Sequence, residues 1–305
     1  MSDQTAPAVL PSNTRLGYLH LTVANLERQI AFYTQVLLFK LHWREGAEAA
    51  LGTEGEVLLR LTEDRAARRY QNTSGMYHFA LLYPSRKELA RAIARLFVMR
   101  YPNSPTDHGF SKTTYLDDLE DNTIELYIRT IEDARFEFVD GQLVVRYADG
   151  RIGDGRDPLD VEVLFAELSA DDRLDVPLPD GTQIGHMHLY ASSLEGSMTF
   201  YRDGMGFQDG LLYPAMRMGD VGLDEQQPHV VAFNTWKGTN LPPALEHALG
   251  MRYFTVVLPD AAEHQRVVQR LQAAGYATEA APAGTLVRDP AQVSLILTEH
   301  LPPTQ

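Results

Sequence analysis

The sequence predicts an α+β protein assembled from four copies of one β-α-β-β-β module. Two series of recurring residues predict it. Gly17, His20, Leu21, Leu26, Glu27, Phe32, Tyr33 and Phe39 return 168 positions later as Gly185, His188, Leu189, Leu194, Glu195, Phe200, Tyr201 and Phe207. A second series at offset 175 relates Gly75, Phe79, Pro84, Glu88, Arg91, Arg95 and Leu96 to Gly250, Phe254, Pro259, Glu263, Arg266, Arg270 and Leu271. Self-similarity at a constant offset is the mark of a repeated structural unit. A third observation bounds the answer: 305 residues, 44% hydrophobic and 22% charged, suit two globular domains at about 100–200 residues each.

Each module opens with an alternating or apolar stretch that reads as a strand: LGYLHLTV, GMYHFALLY, IGHMHLYA and MRYFTVVL. An amphipathic helix follows. In LERQIAFYTQVL, the residues Leu26, Ile30, Phe32, Tyr33 and Leu37 form one stripe, and ELARAIARLF and EHQRVVQRLQ repeat the pattern. Short strands close the modules in EVLLRL, TTYLDDL, TIELYI, HVVAFN and VSLILT. The predicted organisation is a first half at 15–130 (modules one and two), a connection at 131–183 rich in Asp, Gly and Pro, and a second half at 184–300 (modules three and four). Within the connection, FEFVDGQLVVRY predicts a hairpin turning at Asp140-Gly141.

A formal charge of −14 argues against binding nucleic acid or an anionic bilayer. With no cysteine, any strong metal site must use His, Asp and Glu. The opening MSDQTAPAVLPS does not read as a secretory signal, and no stretch approaches a membrane span, so the expectation is a cytoplasmic enzyme or binding protein.

Candidate chemistry gathers in modules two and three. His78 lies in MYHFAL and Glu125 in DNTIELY, each among apolar neighbours. Either alone reads as a hydrogen-bonded core residue. Two histidines and one carboxylate with positions left open, however, is the facial arrangement by which divalent iron binds substrate and dioxygen side by side. Between them, DHGFSKTTYLDDLEDNTIELY holds His108 and Tyr115, able to donate hydrogen bonds into such a site. IGHMHL places His186 and His188 on one strand face, and His229 follows in PHVVAFNTWKG. His20 is the repeat counterpart of His188. In module four, Tyr253 replaces His78 and the glutamate position falls in VSLILT, so that module cannot complete a site.

These motifs, in this order over about residues 15–300, resemble the vicinal oxygen chelate (glyoxalase/bleomycin resistance/dioxygenase) superfamily and, within it, the catechol 2,3-dioxygenase or type I extradiol group. The resemblance implies modules paired into two half-open, eight-stranded, barrel-like domains. It implies Fe(II), with Mn(II) as the substitute, held by one histidine from each of two facing modules and a glutamate. Carried over, His78 and Glu125 are two ligands, His108 and Tyr115 support the site, and His229 is the acid–base group. DLEDN departs from the Asp-Pro-Asp-Gly turn common in relatives, and only one histidine stands around position 229 where relatives have two or three.

Which module faces module two decides the third ligand. Pairing neighbours selects His20 but offers no acid–base histidine from module one. Pairing module three with module two selects His188 and brings His229 with it, and the long 131–183 connection gives the chain the reach to do so. The crossed pairing, with metal ligands His78, Glu125 and His188, is therefore the expectation.

The implied activity is iron-dependent extradiol cleavage of a catechol-type diol by dioxygen, in a protein that binds neither nucleic acid nor membrane, with self-association left open. The alternatives are a hydroquinone-cleaving dioxygenase, a non-redox glyoxalase-type metal enzyme and a non-catalytic ligand-binding protein of the drug-resistance type.

Overall fold

Helix starts are written locally: Asn25, Ser85, Ser193 and Asp260 each accept a hydrogen bond from the backbone N–H three residues on, at the starts of four helices. The computed structural model describes residues 9–140 and 142–304 and contains the four expected modules. Module one is β1 (Arg15–Val23), α1 (Leu26–Gln35), β2 (Lys40–Glu45), β3 (Glu48–Gly52) and β4 (Val57–Glu63). Module two is β5 (Gly75–Leu82), α2 (Arg86–Met99), β6 (Ser104–Asp107), β7 (Ser111–Asp117) and β8 (Thr123–Arg129). The connection carries β9 (Ala134–Val139), β10 (Gln142–Tyr147), β11 (Ile152–Gly153), β12 (Asp157–Pro158) and α3 (Val161–Phe165). Module three is β13 (Gln183–Tyr190), α4 (Leu194–Met198), β14 (Gln208–Tyr213), β15 (Met218–Gly222) and β16 (Val231–Asn234). Module four is β17 (Gly250–Val257), α5 (Ala261–Ala273), β18 (Thr278–Ala281), β19 (Gly284–Arg288) and β20 (Ser294–Thr298).

The helix of module three differs from the even amphipathic helix expected. After five residues of α4 the chain widens into a π-helical stretch, Thr199–Met205. Gly196 and Gly204 weaken the α form here, and the wide turn still buries Phe200 and Tyr201 completely.

The sheets cross the sequence halves. One runs β18-β19-β20-β17-β1-β4-β3-β2 and so joins module four to module one; the other runs β12-β6-β7-β8-β5-β13-β16-β15-β14 and joins module two to module three. At the junctions β1 pairs antiparallel with β17, and β5 with β13. The apolar helix stripes, such as Leu89, Ala90, Ile93 and Leu96 of α2, pack into one extended core with the strands.

A second set of contacts ties the halves as the sequence orders them. The Tyr33 hydroxyl donates to Asp118 at 2.9 Å, joining α1 to the last turn of module two, and Tyr201 donates to Asp289 at 3.1 Å, joining module three to module four. Asp118 explains how DLEDN builds its turn without the usual Pro and Gly. Its carboxylate accepts from Glu120 N, Asn122 N and Asn122 Nδ2, while Asp121 takes the left-handed conformation at φ +61°.

The connection does more than span a gap. Its β9–β10 hairpin forms as expected, with Asp140 at φ +51°, while Gly141 lies outside the described residues. β12 then adds to the edge of the second sheet against β6. Farther along, Asp172 pairs with Lys87 and Arg91 of α2, so the segment is fastened across module two.

Candidate metal centre and its pocket

Strand alternation on β8 puts Glu125, Tyr127 and Arg129 on one face, where all three line the same pocket. Glu125 stands opposite Tyr115 of β7 in the antiparallel register, and Ala80 of β5 lies beside it on the other flank. From β5 comes His78 and from β13 come His186 and His188. The strands deliver His78 Nε2, His186 Nε2 and Glu125 Oε2 to one point, each 3.1 Å from the other two. All three residues are buried, at 2–4% exposure. Metal–ligand bonds of about 2.1 Å at right angles separate their donor atoms by about 3.0 Å, so the triangle fits one divalent cation. Two imidazoles and a carboxylate also match the donor set of a ferrous site. This cluster can hold a metal.

His188, the expected third ligand, is not part of the cluster. Although its Cα is the register partner of His78, its Nε2 accepts a 2.9 Å hydrogen bond from Asn234 Nδ2. The amide orientation is set by Trp236 N, which donates to Asn234 Oδ1 at 3.0 Å. The lone pair a metal would need is thus committed elsewhere. His186 instead stands level with Glu125, since it pairs with Ala80 and Ala80 pairs with Glu125, and β13 bulges just before it at Gly185. A Cβ at Gly185 would lie 2.2 Å from the Tyr127 hydroxyl, so only glycine lets the strand approach there, and His186 packs against the Tyr127 ring at 4.9 Å.

His20 lies in the other sheet. Its Nε2 contacts Thr62 Oγ1 at 2.7 Å and its ring meets Tyr253 edge-on, where Tyr18 and Trp43 also pack. That sheet thus places tyrosine where the second sheet places His78.

The electrostatics follow from burial. Burial opposes the charge on Glu125, but the charges and hydrogen bonds of His186 and His78 outweigh it and hold the carboxyl well below its ordinary range. Burial lowers His186 to about 3 against the pull of Glu125, and lowers His188 well below the imidazole range. Burial and the nearby Glu125 push the Tyr115 hydroxyl far up, so it remains a donor.

Around the cluster stand the other expected residues. The Tyr115 hydroxyl lies 2.9 Å from His108 Nε2, and His108 Nδ1 donates to the carbonyl of Gly155 in the connection. His229 packs edge-on against His186, with centroids 4.6 Å apart, and its Nδ1 lies 2.6 Å from Asp220 Oδ2. Burial opposes protonation of His229, but the hydrogen bond and charge of Asp220, aided by Glu125, raise its pKa above the usual value.

The cluster opens into a cavity of about 620 Å³. Module three contributes Met216, Met218 and Trp236 to its wall, and the connection contributes Phe136, Val145 and Arg156. Sequence reasoning missed Asp220, Asn234 and this wall. Asp220 carried a signal, as the one charged residue in the strand MGDVG, but its partner depends on the β15–β16 pairing.

Among known proteins, a family model described as the Glyoxalase/Bleomycin resistance protein/Dioxygenase superfamily matches residues 15–126. A curated protein of Bacillus subtilis (strain 168) named Catechol-2,3-dioxygenase is 34% identical over 281 residues, covering 91% of this chain and 94% of that protein. Two solved structures share the fold. One from Bacillus subtilis subsp. subtilis str. 168 has a TM-score of 0.64 at 12% identity, covering 97% of this chain and 88% of its own. Glyoxalase I from Zea mays has a TM-score of 0.55 at 15% identity, covering 93% and 92%. Among the described residues no helix is long and apolar enough to cross a membrane.

Proposed function

The chain belongs to the glyoxalase/bleomycin resistance protein/dioxygenase superfamily, and from that premise we propose that it is an iron(II)-dependent extradiol dioxygenase that opens the ring of a catechol-type diol. The observation that carries this reading is the buried His78–His186–Glu125 triangle at the floor of a largely apolar cavity, with His229 packed on one of its histidines. In this reading His186 replaces His188 as the third ligand. The name of the 34% identical relative supports the same activity.

A divalent iron held by the three ligands would act as Lewis acid and as the path for electrons from diol to dioxygen, leaving coordination positions for both. The chain's own residues supply the rest. Catechol enters a cavity whose wall includes Phe136, Val145 and Trp236, which exclude water and orient the ring. His229 accepts a hydroxyl proton at Nε2, and Asp220, on Nδ1, stabilises the resulting imidazolium. The same proton is available to return during ring opening, as general acid–base catalysis requires. Tyr115 packs beside His78 with its hydroxyl proton held toward His108; turned to the cluster, that hydroxyl donates where negative charge develops on oxygen. The product equals catechol plus dioxygen, so no external reductant enters the balance.

The test is oxygen uptake by protein purified and iron-loaded without air, offered a panel of catechols and hydroquinones. A yellow ring-cleavage product from a catechol with matching oxygen consumption supports the reading. Metal-dependent turnover without oxygen uptake would point to a non-redox glyoxalase-type reaction, cleavage of hydroquinones alone to the para-diol reaction, and tight ligand binding without metal or turnover to a sequestering protein.

A further inference from the structure

We infer that Asp220 and Gly210 together act as a positioning device that fixes the tautomer and orientation of His229. The inference rests on His229 being the acid–base group. Asp220 sits in β15 among buried neighbours and is itself 8% exposed. Burying a carboxylate is costly unless its oxygens are paired. No arginine or lysine pairs with it among the described residues. One oxygen, Oδ1, accepts from the backbone N–H of Leu211 at 2.7 Å, and the other, Oδ2, meets His229 Nδ1 at 2.6 Å. Holding the strand would need only the first contact. The second is directed at an imidazole that lines the cavity and packs on His186.

The chemistry of that second contact is one-directional. An ionised carboxylate only accepts, so Nδ1 carries a proton throughout and, in the neutral ring, the Nε2 lone pair is left free. Without Asp220 both tautomers compete, and the ring loses the anchor that fixes its rotation.

Gly210 makes the geometry attainable. It lies in β14 where the register with β15 breaks between Asp209 and Leu212. A Cβ there would lie 2.3 Å from Asp220 Oδ1 and 2.5 Å from the Asp220 carbonyl oxygen. No side chain fits without moving Asp220. An exposed glycine outside the cavity wall thereby governs a residue inside it through one carboxylate.

The experiment combines kinetics with nitrogen NMR. Asp220→Asn is nearly isosteric, but its amide N–H donates to Nδ1 and moves the proton to Nε2. In iron-loaded protein with catechol, D220N should lower kcat by about 10²–10⁴, the range for lost acid–base help, with KM and iron stoichiometry unchanged. His229→Ala should give a similar loss, and D220N combined with H229A should be no worse than H229A alone, because residues acting as a unit are not additive. Gly210→Ala should lower kcat in the same direction, with no added loss when combined with D220N. In metal-free protein, the ¹⁵N shifts of His229, identified by their disappearance in H229A, should report an Nδ1 proton in the wild type and an Nε2 proton in D220N. If D220N is poorly folded, G210A carries the test, since carboxylate and imidazole both remain. Wild-type kcat in D220N and G210A beside an inactive H229A would overturn the inference, as would losses that multiply in the double variant. Wild-type turnover in H229A would instead overturn the acid–base reading on which it rests.

Discussion

At the scale of single residues, two histidines on one strand face differ in what their lone pairs can do. His186 Nε2 converges with His78 and Glu125, whereas His188 Nε2 already accepts from Asn234. Replacing His186 or Glu125 by Ala should weaken iron binding more than about 100-fold, beyond what loss of a supporting residue costs. His188→Ala should keep stoichiometric iron and lose roughly 1–3 kcal/mol of stability, because Asn234 Nδ2 is left buried and unpaired. Metal analysis after anaerobic gel filtration, with urea unfolding alongside, checks both; iron lost from H188A but kept by H186A would make His188 the ligand. His20 gives a pH test away from the metal. Burial, aided by Arg252 and Arg60, lowers its pKa to about 3. The folded state therefore refuses a proton that the unfolded chain takes up near 6.5, so stability should fall as pH drops from about 6.5 toward 3, by at most about 1.4 kcal/mol per unit from this group. His20→Gln should flatten that slope in urea titrations of chelator-treated protein; an unchanged slope would mean that His20 does not contribute.

At the scale of elements, periodicity and capping residues made the strands and helices legible. Leu26, Ile30, Phe32 and Tyr33 are buried as their stripe implies. The departures arise where a glycine changes the local path. Gly185 lets β13 bulge and approach Tyr127 just before His186, and in module three the glycine-flanked helix runs wide. Neither effect appears in a repeat alignment, which matched His20 to His188 correctly yet could not weigh a register shift. Tyr33 and Tyr201, by contrast, are repeat equivalents doing equivalent work, each donating to a buried aspartate in a tight turn. Tyr33→Phe and Tyr201→Phe should each cost about 1.5–3 kcal/mol, the worth of a hydrogen bond to a charged group. Thermal or urea unfolding reads this, and a loss under about 0.5 kcal/mol in both would show that these bonds do not tie the modules.

At the scale of the whole molecule, sheets pair modules two with three and four with one, while the tyrosine–aspartate bonds tie one to two and three to four. Leu82 and Gln183 are register partners across the β5–β13 junction, and antiparallel partners place their Cα atoms about 4.5–5.5 Å apart, within disulfide reach. In a chain with no cysteine of its own, the pair Leu82→Cys and Gln183→Cys should oxidise to an intramolecular crosslink visible as a gel shift that thiol reverses. Failure to crosslink in folded protein would contradict the crossed sheet.

The sequence by itself determined the four modules, the hairpin of the connection and the residue types at the site, because each is written in local periodicity, turn chemistry or the repeat. It also carried the argument for the crossed sheet, since His229 belongs to module three and the connection is long. Only the tertiary structure brought His186, and not His188, together with His78 and Glu125, and it alone paired Asp220 with His229. Those outcomes depend on the register that sets His186 beside Ala80 and Glu125, on the lone pair taken by Asn234 and on strands adjacent in space but not in sequence. A ligand set is a convergence of atoms to within about an ångström, and a strand pattern fixes which face a side chain takes but not how far along that face it reaches.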